Sequence, residues 1–216
     1  MNKTIEKKEM LFLVFICFLI YKVAAPLLYA LLTKDYVLIG IAAHVSMFIY
    51  LYSYLKKKNI NVNELGVSRA IGWWCYLLPL FSVWLYFLFY NDCILAIKKG
   101  LKFNYVLSYI SISILVLSPI VEEVFFRSII YKAINRSNGF VVSASISSLL
   151  FAFYHYPVLS INDYVFYFCF GLLSCVYLKV SKSIYPSVLA HFAVNLLYIV
   201  SLAWKMHSWK RETASH

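Results

Sequence analysis

The sequence predicts an all-α protein, a polytopic transmembrane bundle of about seven to eight spans. Three observations carry that class. Of 216 residues, 63% are hydrophobic and only 13% are charged. The apolar residues fall in successive runs near the ~20 residues that a helix needs to cross ~30 Å of hydrocarbon, and lipid covers such surface where a soluble core of this length would not. The charge is also placed for a bilayer. Net charge is +11, yet Lys and Arg stand between the runs, as in Lys56-Lys57-Lys58, Lys98-Lys99 and Lys210-Arg211, where headgroups are met. No segment is long enough for a solvated basic domain with base-reading side chains, so a nucleic-acid partner is not expected.

Residues 1–216 are read as a single integral membrane domain. Met10 to Leu32, behind Lys3, Lys7 and Lys8, begins like a signal peptide, but Lys22 and the apolar stretch after it make it an uncleaved first span. Further spans follow at about Tyr36 to Leu55, Ile71 to Tyr90, Phe103 to Lys132, Phe140 to Tyr156, Tyr164 to Leu178 and Ile184 to Trp204. The fourth is long enough to tilt, or to be two elements meeting at Pro119, since proline removes a backbone donor and restricts the residue before it. That second possibility supplies an eighth element. Cys93 to Lys102 fits a short amphipathic helix along the interface. The side carrying Lys56, Lys57, Lys58, Lys132, Arg136, Lys179 and Lys182 holds more basic residues than the other, which puts the N-terminus in the cytoplasm. Ala144, Ser148 and Ala152 on the fifth span, and Gly171 and Cys175 on the sixth, present small faces that allow close helix approach. The five cysteines lack CxxC spacing, so they are read as small hydrophobes and imply neither disulfides nor zinc.

Polar residues interrupt these apolar runs at a few places, each of which needs a reason. An ionisable group near the bilayer centre costs roughly 2.5–3.5 kcal/mol on insertion scales. Glu123 and Arg127, four residues apart, share a helix face and can cancel each other's charge. Glu122, about 100° around the helix, has no local counter-charge and must find partners on other spans. His155, one turn after Phe151, ends the fifth span, and His191 and Asn195 share one face of the last. A lone intramembrane histidine such as His44 reads as a hydrogen-bonded packing residue. A purely structural ion network is the bland alternative for the whole set.

A free carboxylate, two imidazoles and a carboxamide in a secluded site suit attack by water on an amide carbonyl. In that reading Glu122, assisted by His155, deprotonates the water, while His191 and Asn195 donate to the developing oxyanion. Glu123 and Arg127 fix the helix that carries Glu122. Glu122, His155 and His191 also make a two-histidine, one-carboxylate zinc set with water in the fourth place. The metal-free reading is preferred because no paired-histidine HExxH helix is present and Asn195 suits an oxyanion better than zinc.

The spacing Glu122-Glu123-xxx-Arg127, then Phe151-xxx-His155, then His191-xxx-Asn195 resembles the CPBP (Abi) superfamily of CAAX prenyl-protein endopeptidases and bacteriocin-processing enzymes. The resemblance covers about residues 115–197. It implies a glutamate-type intramembrane protease in which Glu122 and His155 activate water and His191 and Asn195 form the oxyanion hole; no cofactor is expected, with zinc at Glu122, His155 and His191 as the open alternative. Ser128 departs from the glycine that many members carry after the arginine, which touches helix packing rather than chemistry. Members include prenyl-protein processors, peptide-maturation proteases, bacteriocin self-immunity proteins and sensor-kinase regulators. The short Lys-, Asn-, Ile- and Tyr-rich chain looks like a bacterial cell-membrane member, for which prenylated substrates are not expected. The leading expectation is thus an endopeptidase acting on a peptide or membrane-associated protein. The alternatives are a non-proteolytic partner of a sensor kinase or bacteriocin system, and a small transporter with a proton-relay glutamate.

Overall fold

Tyr36–Lys57 is the first helix whose bounds lie within the described residues, α1. Nothing in this apolar stretch breaks a helix, and Lys56 and Lys57 in its last turn complement the negative end of the helix dipole. The computed structural model describes residues 36–60, 66, 71–90, 113–155 and 160–213, with the single positions 12, 16, 19 and 27. Apart from those four positions the expected first span lies outside the described residues, as does the expected interfacial segment Cys93 to Lys102. Among the described residues all regular structure is helical and no strand occurs.

A 3-10 turn, Trp73–Leu77, leads into α2, Pro79–Phe89, with proline at the helix start where its missing amide is harmless. The region expected as the fourth span does not break at Pro119. A π turn at Ser113–Leu117 runs into α3, Ser118–Glu123, and a second π segment, Val124–Tyr131, continues into α4, Lys132–Tyr154. Proline removes an amide and crowds the carbonyl one turn back, and a widened turn relieves both within a continuous helix.

The break falls instead at Gly139, with φ 73° and ψ 175°, a conformation that glycine adopts without a Cβ clash. The arm after it returns antiparallel along the arm before it. Phe126 meets Phe151 with ring centroids 5.2 Å apart, and the Ser147 hydroxyl donates to the Phe126 carbonyl at 2.8 Å. The stretch Leu115–Tyr154 is therefore a helical hairpin, matching the expected fourth and fifth spans rather than one long rod.

α5, Ile161–Ser181, opens on a capping box: the Ser160 hydroxyl accepts from the Asp163 amide, and the Asp163 carboxylate accepts from the Ser160 amide. It ends at Lys182 in the left-handed region. The Ser183 hydroxyl and the Ile184 amide then donate to the Gly66 carbonyl, and α6, Tyr185–Thr213, follows. The small faces meet as expected. A Cβ on Gly171 of α5 would stand 2.8 Å from the Ser148 Cβ of α4, so only glycine permits that approach.

Leu115–Tyr154 and Ile161–Ser181 are long and apolar enough to cross a bilayer, and Trp73–Phe89 and Tyr185–Ser201 are shorter apolar helices. The partition of side chains is the reverse of a soluble protein's. Trp84, Leu80, Phe48 and Phe153 are exposed, while Glu122, Glu123, Arg127, His44 and His191 are buried. That surface needs lipid around it. Met47, Leu51, Tyr86, Phe125, Phe126, Phe151, Phe166 and Phe170 form the main apolar cluster, which walls the buried polar groups.

Candidate active site

Glu122 and Glu123 are adjacent, so the helix aims them differently, and His191 is the partner they share. Glu123 and Arg127 are both fully buried, with the Arg127 Nε 3.1 Å from Glu123 Oε2. This is the expected pair one turn apart. Arg127 also donates from Nη1 to the Ser147 hydroxyl at 3.3 Å, and its guanidinium lies 4.7 Å from the centre of the Phe151 ring. The other oxygen of Glu123 reaches a different helix: Oε1 is 3.1 Å from Nδ1 of His191 on α6. Glu123 therefore orients His191 as well as pairing with Arg127.

Glu122 finds its partners on other helices. His155 on α4 brings Nε2 to 3.8 Å from Oε2, and His191 on α6 brings Nε2 to 3.9 Å from the same oxygen. These separations exceed direct hydrogen bonds. Oε2 is buried and accepts no hydrogen bond from the protein. Oε1 accepts from the Ser118 hydroxyl one turn earlier and faces Nε2 of His44, on α1, at 3.6 Å. Asn195 follows His191 by one turn on the same face of α6 and is partly buried.

The ring nitrogens have assignable roles. His155 Nδ1 lies 2.9 Å from the Phe151 carbonyl, and a carbonyl only accepts, so Nδ1 carries the proton. The neutral His155 ring then presents a lone pair on Nε2 toward Glu122. His191 Nδ1 likewise donates to the Glu123 carboxylate, which leaves its Nε2 an acceptor when neutral and a donor when the ring is doubly protonated.

Phe151 shows why an aromatic residue precedes His155 by one turn. Its fully buried ring touches His155, His191 and Phe126 edge-on and lies under Arg127. Tyr167 of α5 stacks on the His155 imidazole, with centroids 3.9 Å apart and planes 15° apart. Sequence reasoning missed Tyr167, Ser118 and Ser147, and it assigned His44 to packing. For Ser118 the signal was available, since it stands four residues before Glu122.

Among the described residues no group of three or more His, Cys, Asp or Glu has a geometry that could hold a metal ion. The Nδ1 contact of His191 with Glu123 leaves its Nε2 turned toward Glu122.

Residues 104–197 match the model of the Rce1-like family, the type II CAAX prenyl endopeptidases. The match is consistent with the CPBP superfamily that the three motifs resemble. The Rce1-like segment takes in Glu122, His155, His191 and Asn195 and leaves His44 outside it. No curated protein and no solved structure matches the chain. Together with the apolar helices, the Rce1-like match marks an integral membrane protein.

Proposed function

We propose that the chain is an intramembrane endopeptidase that hydrolyses a peptide bond in a peptide or membrane-associated protein, without a metal. The observation that carries this reading is the buried Glu122 Oε2, which accepts no hydrogen bond from the protein and is faced by two imidazole nitrogens at 3.8 and 3.9 Å. Those gaps suit one bridging water. A water held there gives one proton toward Glu122 or His155 as its oxygen attacks the scissile carbonyl. His191, held at Nδ1 by the Glu123 carboxylate and protonated on both nitrogens, donates from Nε2 to the oxyanion, and the Asn195 carboxamide is the second donor. The proton taken from water then passes to the leaving amine, so the cycle closes with the residues unchanged.

The family description supports a protease of this class, and the many exposed apolar side chains support a bundle of seven to eight spans. A Cβ on Gly66 would lie 3.4 Å from the Lys182 carbonyl and 3.5 Å from the Lys132 ammonium, so these basic segments gather at one end. A cytoplasmic N-terminus and a bacterial cell membrane are our reading of the basic residues and the composition. The test is cleavage of an internally quenched peptide library by the protein in lipid nanodiscs. Glu122→Gln should reduce turnover by at least the 10²- to 10⁴-fold typical of losing a general base while the protein still folds. A Glu122→Gln variant that cleaves as fast as the unaltered chain removes the assignment. Retention of a bacteriocin-immunity or sensor-kinase phenotype by that variant would favour a partner protein in which the cluster is structural.

A further inference from the structure

The two oxygens of Glu122 are treated differently, and the helix responsible lies outside the segment that carries the family motifs. Oε2 faces His155 and His191, whereas Oε1 is held by the Ser118 hydroxyl and faced by His44 Nε2 at 3.6 Å. We propose that His44 is a positioning residue: with Ser118 it fixes Oε1, so that Oε2 is left as the basic oxygen turned toward the two other rings. This rests on the reading of Glu122 as the base, and it adds α1 to the machinery.

The geometry supports a built contact. His44 is only 4% exposed, and a buried imidazole in an apolar helix is costly unless it meets a polar group. α1 is seated where the contact requires it. Met47, one turn after His44 and itself fully buried, receives the Tyr154 hydroxyl at 4.0 Å, and Tyr154 immediately precedes His155. The same stretch of α1 therefore abuts both Glu122 and the end of α4 that carries His155. A single hydroxyl on Oε1 fixes a distance and leaves the carboxylate free to swing about it. A second polar group on the same oxygen, arriving from another helix, fixes the plane as well. At 3.6 Å the imidazole orients the carboxylate through its dipole rather than through a direct hydrogen bond, and its loss should lower the rate about two- to tenfold.

The test compares His44→Gln and His44→Phe in nanodiscs on an internally quenched peptide library. His44→Phe keeps the ring and loses its polar nitrogen, and kcat should fall about two- to tenfold with KM nearly unchanged. His44→Gln places an amide N–H near the position of Nε2 and should recover most of that loss. A packing role predicts the opposite order, and full turnover in His44→Phe would overturn the proposal. A second arm needs no cleavage. With 15N-labelled imidazoles, the His44 Nε2 resonance should shift on Glu122→Gln, and an unmoved resonance in a folded variant would equally overturn it. If the unaltered chain cleaves nothing, the protease reading fails, and the resonance arm still decides whether His44 engages Glu122.

Discussion

Replacing Glu123 with glutamine tests how the buried charges are balanced. Glu123 and Arg127 have no exposed surface, and the carboxylate joins Arg127 Nε and His191 Nδ1, both at 3.1 Å. At an effective dielectric near 20, unit charges 3.1 Å apart attract by about 5 kcal/mol. Most of this is offset by desolvation in the intact pair, and when one partner is removed the attraction is lost while the desolvation cost of the remaining ion persists. Glu123→Gln strands the Arg127 cation with the Ser147 hydroxyl and the Phe151 ring for company. Loss of one member of a buried pair costs roughly 3–5 kcal/mol, and the remaining cation–π contact holds the expected loss near the lower figure, about 3 kcal/mol. The assay is SDS-driven unfolding in mixed micelles followed by tryptophan fluorescence, run as a double-mutant cycle with Arg127→Met. The double variant Glu123→Gln, Arg127→Met should regain most of the lost stability, since no charge is left uncompensated. Peptide cleavage should stay low in it, because His191 Nδ1 has lost its carboxylate. Unchanged stability in Glu123→Gln, or a double variant weaker than the single, would refute the charge-balance argument.

Two further outcomes follow from packing. A Cβ at position 171 would stand 2.8 Å from the Ser148 Cβ and 2.9 Å from its Oγ, so Gly171→Ala should destabilise by about 1–3 kcal/mol. Ser148→Gly in the same chain should relieve it, as read by thermal unfolding in detergent; no relief would mean that the two helices do not meet there. Tyr167→Phe keeps the ring stacked on His155 and should leave kcat near that of the unaltered chain. Tyr167→Ala removes an aromatic contact of about 0.5–1.5 kcal/mol and should lower kcat several-fold, whereas equal loss in both variants would assign the effect to the hydroxyl.

What the sequence determined by itself is what short-range geometry dictates. Glu123 and Arg127 are one turn apart, so their pairing follows wherever the helix sits, and the same spacing sets Phe151 under His155 and His191 beside Asn195. Insertion cost alone required Glu122 to seek partners on other helices, and it does. Pro119 misled because its local preference is to end a helix, whereas in an apolar setting a widened turn keeps more backbone hydrogen bonds than a break would. Gly139 takes the break instead, since only a residue without a Cβ accepts the positive φ that turns the hairpin. The tertiary structure alone decided which nitrogen meets which oxygen. A histidine in an apolar run looks the same whether its helix turns it toward lipid, toward packing or toward a carboxylate, and the rotation of α1 about its axis brings His44 to Glu122. The same holds for Tyr167, whose contact with His155 depends on α5 approaching α4 closely at Gly171. Helix rotation and helix proximity are properties of the packed bundle, because they arise from many weak side-chain contacts between segments far apart in the chain.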